Sequence, residues 1–169
     1  QVATSSTDAA AYGDLYQWGR GTDGHQIRTS ATVNAGSSTD QPGHADFIIR
    51  AWSPYDWRTT KNDNLWQGAN GTNNPCPAGY RIPTEAEFTA ESLSWVSQNS
   101  AGAFASPLKL PKPGWRLNSN GIVYSVGLIG YYWTSTTVSG GRAKHLRLDN
   151  AIIYNGQRSY GYSVRCIKN

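Results

Sequence analysis

An α+β fold, rich in loops and built on short strands beside one clear helix, follows from three features of this 169-residue sequence. Gly is abundant at 18 residues and Asn, Ser and Thr are frequent, a mix that favours turns over long helices. The segment after Pro83 carries a capping signature and helical spacing. From Tyr131 to Asn169 apolar and polar residues alternate, with Leu146 and Leu148 on one face and His145, Arg147 and Asp149 on the other, the period of a half-buried sheet. Charged residues make up only 15%, and 7 Trp and 10 Tyr supply aromatic anchors, so the chain reads as one folded domain with a sizeable core.

In chain order, residues 1–11 are Ser/Thr/Ala-rich and read as a flexible arm. Ala11, Leu15 and Trp18 stand at helical spacing and predict a helical turn ending near Gly19. Residues 20–46 form a polar loop region, and Phe47–Trp52 is a short strand or ordered apolar segment closed by Pro54. The 55–75 loop is too rich in Trp to be merely solvated: Trp57 and Trp66 are expected to be buried beneath it, with Asn and Asp side chains satisfying the backbone. The oxygens of Asn62, Asp63 and Asn64 offer a calcium cradle as the alternative to loop bonding, and no other cofactor is expected. Thr84 with Glu87 forms a capping box for a helix over 85–98, with Phe88, Ser92, Trp95 and Val96 on one face. Glu85 and Glu87 lie in its first turn, where dipole compensation explains them better than acid/base chemistry. Three prolines make 107–113 an extended connection. Trp115–Tyr124 reads as a hairpin turning at Asn120-Gly121, and Asp149-Asn150 as a second hairpin turn.

The formal net charge is +4 without a Lys/Arg run, so a dedicated nucleic-acid surface is not expected. No apolar run reaches the length of a membrane span. Gln1 opens directly in polar sequence with no leader visible, which fits a processed or trimmed end. Two cysteines far apart, Cys76 and Cys166, are compatible either with free thiols in a reducing compartment or with one long-range disulfide in an exported protein. His25, His44 and His145 are scattered and form no metal-binding spacing.

Four motifs together carry a resemblance: Gly13-Asp-Leu-Tyr-Gln-Trp-Gly-Arg20, Asn74-Pro-Cys-Pro-Ala-Gly-Tyr-Arg-Ile-Pro-Thr-Glu-Ala-Glu-Phe88, Tyr132-Trp-Thr-Ser-Thr136 and Gly161-Tyr-Ser-Val-Arg-Cys166. The set resembles the Fibrobacter succinogenes major paralogous domain family of bacterial surface and secreted proteins, which is similar to the formylglycine-generating-enzyme branch of the C-type lectin-like fold. The resemblance covers nearly the whole chain. It implies a single C-type lectin-like domain over 12–169, with small antiparallel sheets, one or two helices, a Cys76–Cys166 disulfide, and an extracellular or cell-surface location. Such a bridge closes a loop of about 90 residues, worth up to ~4–5 kcal/mol by chain entropy. Members usually carry a further opening strand. Its absence here implies either a fragment of a larger protein or a sheet edge open to homo-oligomerisation or strand pairing with another chain.

The last stretch also resembles the variable region of retroelement-diversified proteins. That likeness makes Trp133, Ala143, Leu146, Leu148 and Val164 scaffold, and Arg142, Lys144, His145, Arg147, Asp149, Tyr154, Arg158 and Tyr160 a displayed ligand-binding set. The expected function is a non-catalytic recognition or adhesion module for a protein or glycan ligand at a bacterial or phage surface. A structural subunit of a filament, fimbrial tip or fibre is the alternative. An oxidase relative is a third reading, disfavoured because the only cysteines match the bridge positions. The sugar-binding calcium motifs Glu-Pro-Asn and Trp-Asn-Asp of C-type lectins are absent from the sequence.

Overall fold

The computed structural model describes residues 1–169 and is a small α+β fold, with eleven short strands in four sheets and two helices. In chain order the strands are β1 (Tyr16–Gln17), β2 (Thr32–Val33), β3 (Phe47–Ile48) and β4 (Tyr80–Arg81). The helices α1 (Glu85–Leu93) and α2 (Ser100–Ala105) follow, then β5 (Trp115–Arg116), β6 (Val123–Tyr124), β7 (Tyr131–Val138), β8 (Arg142–Arg147), β9 (Ile152–Gln157), β10 (Gly161–Tyr162) and β11 (Ile167–Lys168). The sheets run β1-β10-β5-β6, β7-β8-β9, β11-β4 and β2-β3, antiparallel except for the last.

The β7-β8-β9 meander separates two cores. One face gives Tyr132, Leu146 and Leu148 to a core with Phe88 and Trp95 of the α1 region and Ala103 of α2. The other gives Trp133 and Ala143 to a core with Trp18, Trp57, Trp66 and Tyr162. The four Trp residues of this second core are fully buried, and each indole N–H donates to a backbone carbonyl: Trp18 to Thr134 O, Trp57 to Trp18 O, Trp66 to Arg20 O and Asn73 O, Trp133 to Tyr16 O. This is how a chain with so little regular structure holds its loops: the rings supply apolar burial, and their N–H groups satisfy carbonyls outside any ladder. Gln17 does the same from β1, donating to Ile48 O and Ser159 O and accepting from Ile48 N.

Thr84 and Glu87 form the expected capping box, and Arg81 grips both Glu87 oxygens at 2.8 and 2.6 Å. The helix, expected over 85–98, ends at Leu93. Trp95 is buried in the following turn with its indole N–H on Glu91, and Val96 is solvent-exposed rather than on the core face. Asn99 then caps α2. The hairpin at Asn120-Gly121 pairs Trp115 with Tyr124, and Gly121 takes the positive φ the turn needs.

Two further expectations fail. The helical turn over 11–18 is not formed: Tyr16–Gln17 is a strand paired with Tyr162 and Gly161, and the flanking N–H groups of Leu15 and Trp18 find tertiary acceptors in Gln26 and Arg158. Both Leu15 and Trp18 are fully buried, so their helical spacing had no periodic meaning. Nor is residues 1–11 a free arm. Asp8 accepts from Thr4 and Ala10 and caps a single turn at Ala9–Ala11, Ser6 O accepts Lys112 N–H at 2.8 Å, and Ala3 is buried.

Candidate functional site

The C-terminal strands present two unlike faces. On the helix side, Lys144 pairs with Glu85 at 3.3 Å, so it belongs to the α1 contact. On the other side the odd-numbered residues of β8 meet an aromatic layer. Tyr162 of β10 lies 4.4 Å from the Trp133 ring, 4.7 Å from His145 and 5.0 Å from Tyr131, centroid to centroid.

This layer corrects the assignment of His145 as a displayed residue. Its ring is 4% exposed and packs against Trp133, Tyr131, Tyr154 and Tyr162. Gly156 makes the room: a Cβ there would stand 2.9 Å from both His145 Nδ1 and the Trp133 ring. Nδ1 has no hydrogen-bond partner, and burial, with the nearby Arg147 charge, pulls the pKa down to about 3. His145 is therefore a neutral structural residue at physiological pH.

Arg158 is the second correction. It is fully buried, 4.3 Å over the Trp18 ring, and its guanidinium is held by Asp63, by Asp56 at 3.4 Å and by Asn62 O, with Nε on Arg142 O. Burial pushes the Asp56 carboxyl up to about 6 against the opposing pull of Arg58 N–H and Arg158, so it stays ionised at neutral pH. The same contacts show what the 62–64 oxygens do. Asp63 binds Arg158 and Lys61, Asn62 O binds Arg158, and Asn62 Oδ1 accepts Asn64 N–H. They serve loop bonding, and no group of three His, Cys, Asp or Glu side chains is placed to hold a metal.

Of the remaining predicted residues, Arg142 lies 5.2 Å over Tyr55 at the far end of the β8 strand. Arg147, Asp149, Tyr154 and Tyr160 do come together. Arg147 grips Asp149 through two bonds of 2.6 and 2.5 Å and lies 5.9 Å over the Tyr154 ring. Asn150 donates to Tyr154 OH at 2.7 Å. Tyr160 stacks on Tyr162 at 5.5 Å with the planes 9° apart.

The structure adds three residues to this surface that sequence reasoning missed. Tyr131 stands edge-on to Trp115 at 5.2 Å, and Trp115 lies 6.2 Å from Tyr124 across the hairpin. The result is a connected set of rings: Tyr124, Trp115 and Tyr131 touch in sequence, and Tyr131 is linked to Tyr154 through buried His145 and to Tyr160 through buried Tyr162, with the Arg147–Asp149 pair beside Tyr154. Tyr124 and Tyr154 are 39% and 38% exposed, and Trp115, Tyr131 and Tyr160 are half-buried. Trp115 lies five residues before Asn120 and Tyr124 three after Gly121, so a turn placed at Asn120-Gly121 did not mark them as partners; neither their pairing nor what they would face was legible.

A polar cleft of about 760 Å³ lies elsewhere, lined by Thr22, Asp23, Asp40, His44, Asn70 and Asn74 among others. Its carboxylates are already engaged, Asp23 with Arg20 and His25, and Asp40 with Asn62 and Arg58. Cys76 and Cys166 are joined in a disulfide with Cα atoms 5.7 Å apart, tying the lead-in to α1 onto the last strands. The bridge is consistent with an oxidising compartment. No helix is long and apolar enough to cross a membrane.

No protein-family model, curated protein or solved structure matches the chain.

Proposed function

We propose that the protein is a non-catalytic recognition module, of the C-type lectin-like subtype its motifs resemble, that binds a protein or glycan ligand at a cell or phage surface through the Tyr124–Trp115–Tyr131–Tyr154–Tyr160 face. The observation that carries the reading is the build of that face. Five partly exposed rings have a bidentate Arg–Asp pair at the rim; Tyr131, Tyr154 and Tyr160 rest on buried His145 and Tyr162, and Trp115 and Tyr124 extend the set from Tyr131. Tyr, Trp and Arg are the residue types that carry binding energy, and rings fixed from beneath lose little conformational freedom on binding. Fixed rings also suit stacking on the apolar faces of sugars. The bridged cysteines support the non-catalytic reading, since an oxidase of the resembled branch requires reactive thiols, and they support an extracellular or cell-surface location.

The test is a screen of the intact chain against immobilised glycans and against surface proteins of bacteria and host cells. It is repeated with Tyr131→Ala/Tyr154→Ala and with Lys144→Ala, which alters the helix side. Binding lost in the first variant and kept in the second is expected. Ligand binding that survives the double substitution in a folded protein contradicts the assignment.

A further inference from the structure

We propose that the outer edge of β9 pairs with the same edge of a second copy of this chain, in a two-fold antiparallel junction centred on Tyr154. The proposal stands on the sheet edge alone and does not depend on the ligand reading.

Of the two edges of the β7-β8-β9 sheet, β7 is closed by the chain itself. Trp133 N–H donates to Ser163 O, Ser163 N–H to Tyr131 O and Ser135 N–H to Pro83 O, at 2.9, 3.1 and 2.8 Å. β9 has no such cover. Arg158 N–H donates to Gly141 O at 3.0 Å, which fixes the phase of the β8–β9 ladder. By alternation, Ile152, Tyr154 and Gly156 turn their backbone groups toward β8, while Ile153 and Asn155 turn theirs outward. No other segment of the chain bonds to these outward groups.

Exposed edges are ordinarily blunted by a charge, a proline or a bulge. The strand Ile152-Ile-Tyr-Asn-Gly-Gln157 has no charge and no proline, and its register with β8 is unbroken. It carries exposed apolar side chains instead, with Ile152 49% and Tyr154 38% exposed.

The edge is its own complement. Gln157 O already accepts Tyr160 N–H and leaves only its N–H outward, so Ile153 and Asn155 are the residues with both outward groups free. Only a two-fold axis at Tyr154 sets Ile153 opposite Asn155 of the second copy on both sides of the axis, using every free donor and acceptor of the two residues. On the aromatic side Tyr154 then meets Tyr154, and Ile152 meets Gly156, where no side chain competes for the space. No like charges oppose one another, and the contact is isologous, so it closes as a dimer. The aromatic faces of the two copies would continue across the junction, giving a bivalent surface.

The experiment is sedimentation velocity on the full chain from about 1 µM to about 1 mM, a range that spans weak association. The weight-average mass should rise from 18.4 kDa toward twice that value. Asn155→Pro removes an outward N–H and none that serves the β8–β9 ladder. Ile152→Lys supplies the missing charge and covers the case in which the proline variant does not fold. Each should weaken the dimer at least about tenfold, a loss easily read over that range. In the wild type at high concentration, amide exchange should slow at Ile153 and Asn155. A single 18.4 kDa species at every concentration overturns the proposal. So does a dimer of undiminished strength in the folded variants.

Discussion

Replacing His145 by Phe should make the protein less sensitive to acid without weakening it at neutral pH. In the folded chain burial holds the His145 pKa at about 3, against 6.5 for the ordinary group. As pH falls below 6.5 the unfolded chain takes up a proton that the native chain refuses, so stability is lost toward low pH and is fully present only above 6.5. At pH 4.5 the separation from the unfolded value is two pK units, which costs about 2.7 kcal/mol at 1.36 kcal/mol per unit. His25, buried beside Asp23 with its pKa lowered to about 4, adds a loss of the same sign. Asp56, raised to about 6, acts in the opposite sense, because the native chain binds its proton first as pH falls. The difference between wild type and His145→Phe isolates the one ring. At pH 7 the substitution fits an aromatic nest and removes an Nδ1 that has no partner, so the cost should stay below about 1 kcal/mol. The assay is urea denaturation of both proteins at pH 7.0 and 4.5. The wild type should lose about 2–3 kcal/mol more than the variant between the two. Equal losses would refute a neutral buried His145.

Arg158→Met should cost about 3–5 kcal/mol in a urea titration, because it leaves Asp56 buried without its cation, and adding Asp56→Asn should recover part of that; a loss below about 1 kcal/mol would contradict a buried ion-pair role. Reducing Cys76–Cys166, which closes a 90-residue separation, should cost about 2–4 kcal/mol and lower Tm, whereas an unchanged Tm would show the bridge to be dispensable. Thr84→Ala should cost about 1 kcal/mol and increase amide exchange in the first turn of α1, while unaltered exchange would deny the capping box its role.

The elements readable in the sequence were those encoded by neighbours in the chain. The Thr84–Glu87 box marked the start of α1, Asn120-Gly121 marked a hairpin, and the alternation of Leu146 with Arg147 placed β8 on a core. Burial of Trp57 and Trp66 followed from the improbability of exposing so many rings in a polar loop. What misled were partners distant in sequence. Alternation shows that one face of β8 is buried but not that Tyr162 and Trp133 cover part of the other, so His145 read as displayed. Arg158 read as a surface cation because its acceptors, Asp56, Asn62 and Asp63, lie roughly a hundred residues earlier. Half of the predicted display set, Arg147, Asp149, Tyr154 and Tyr160, nevertheless shares one surface. Trp115, Tyr124 and Tyr131 join it through ring contacts between two sheets that no local pattern encodes.

The central claim, recognition through the aromatic face, is tested most directly by mapping amide chemical shifts while a ligand from the glycan and protein screen is titrated into the labelled chain. The account predicts that the largest changes fall on Trp115, Tyr124, Tyr131, Arg147, Tyr154 and Tyr160, with α1 unaffected. Changes centred on the cleft around Asp23, His44 and Asn70, with the aromatic face silent, would contradict it.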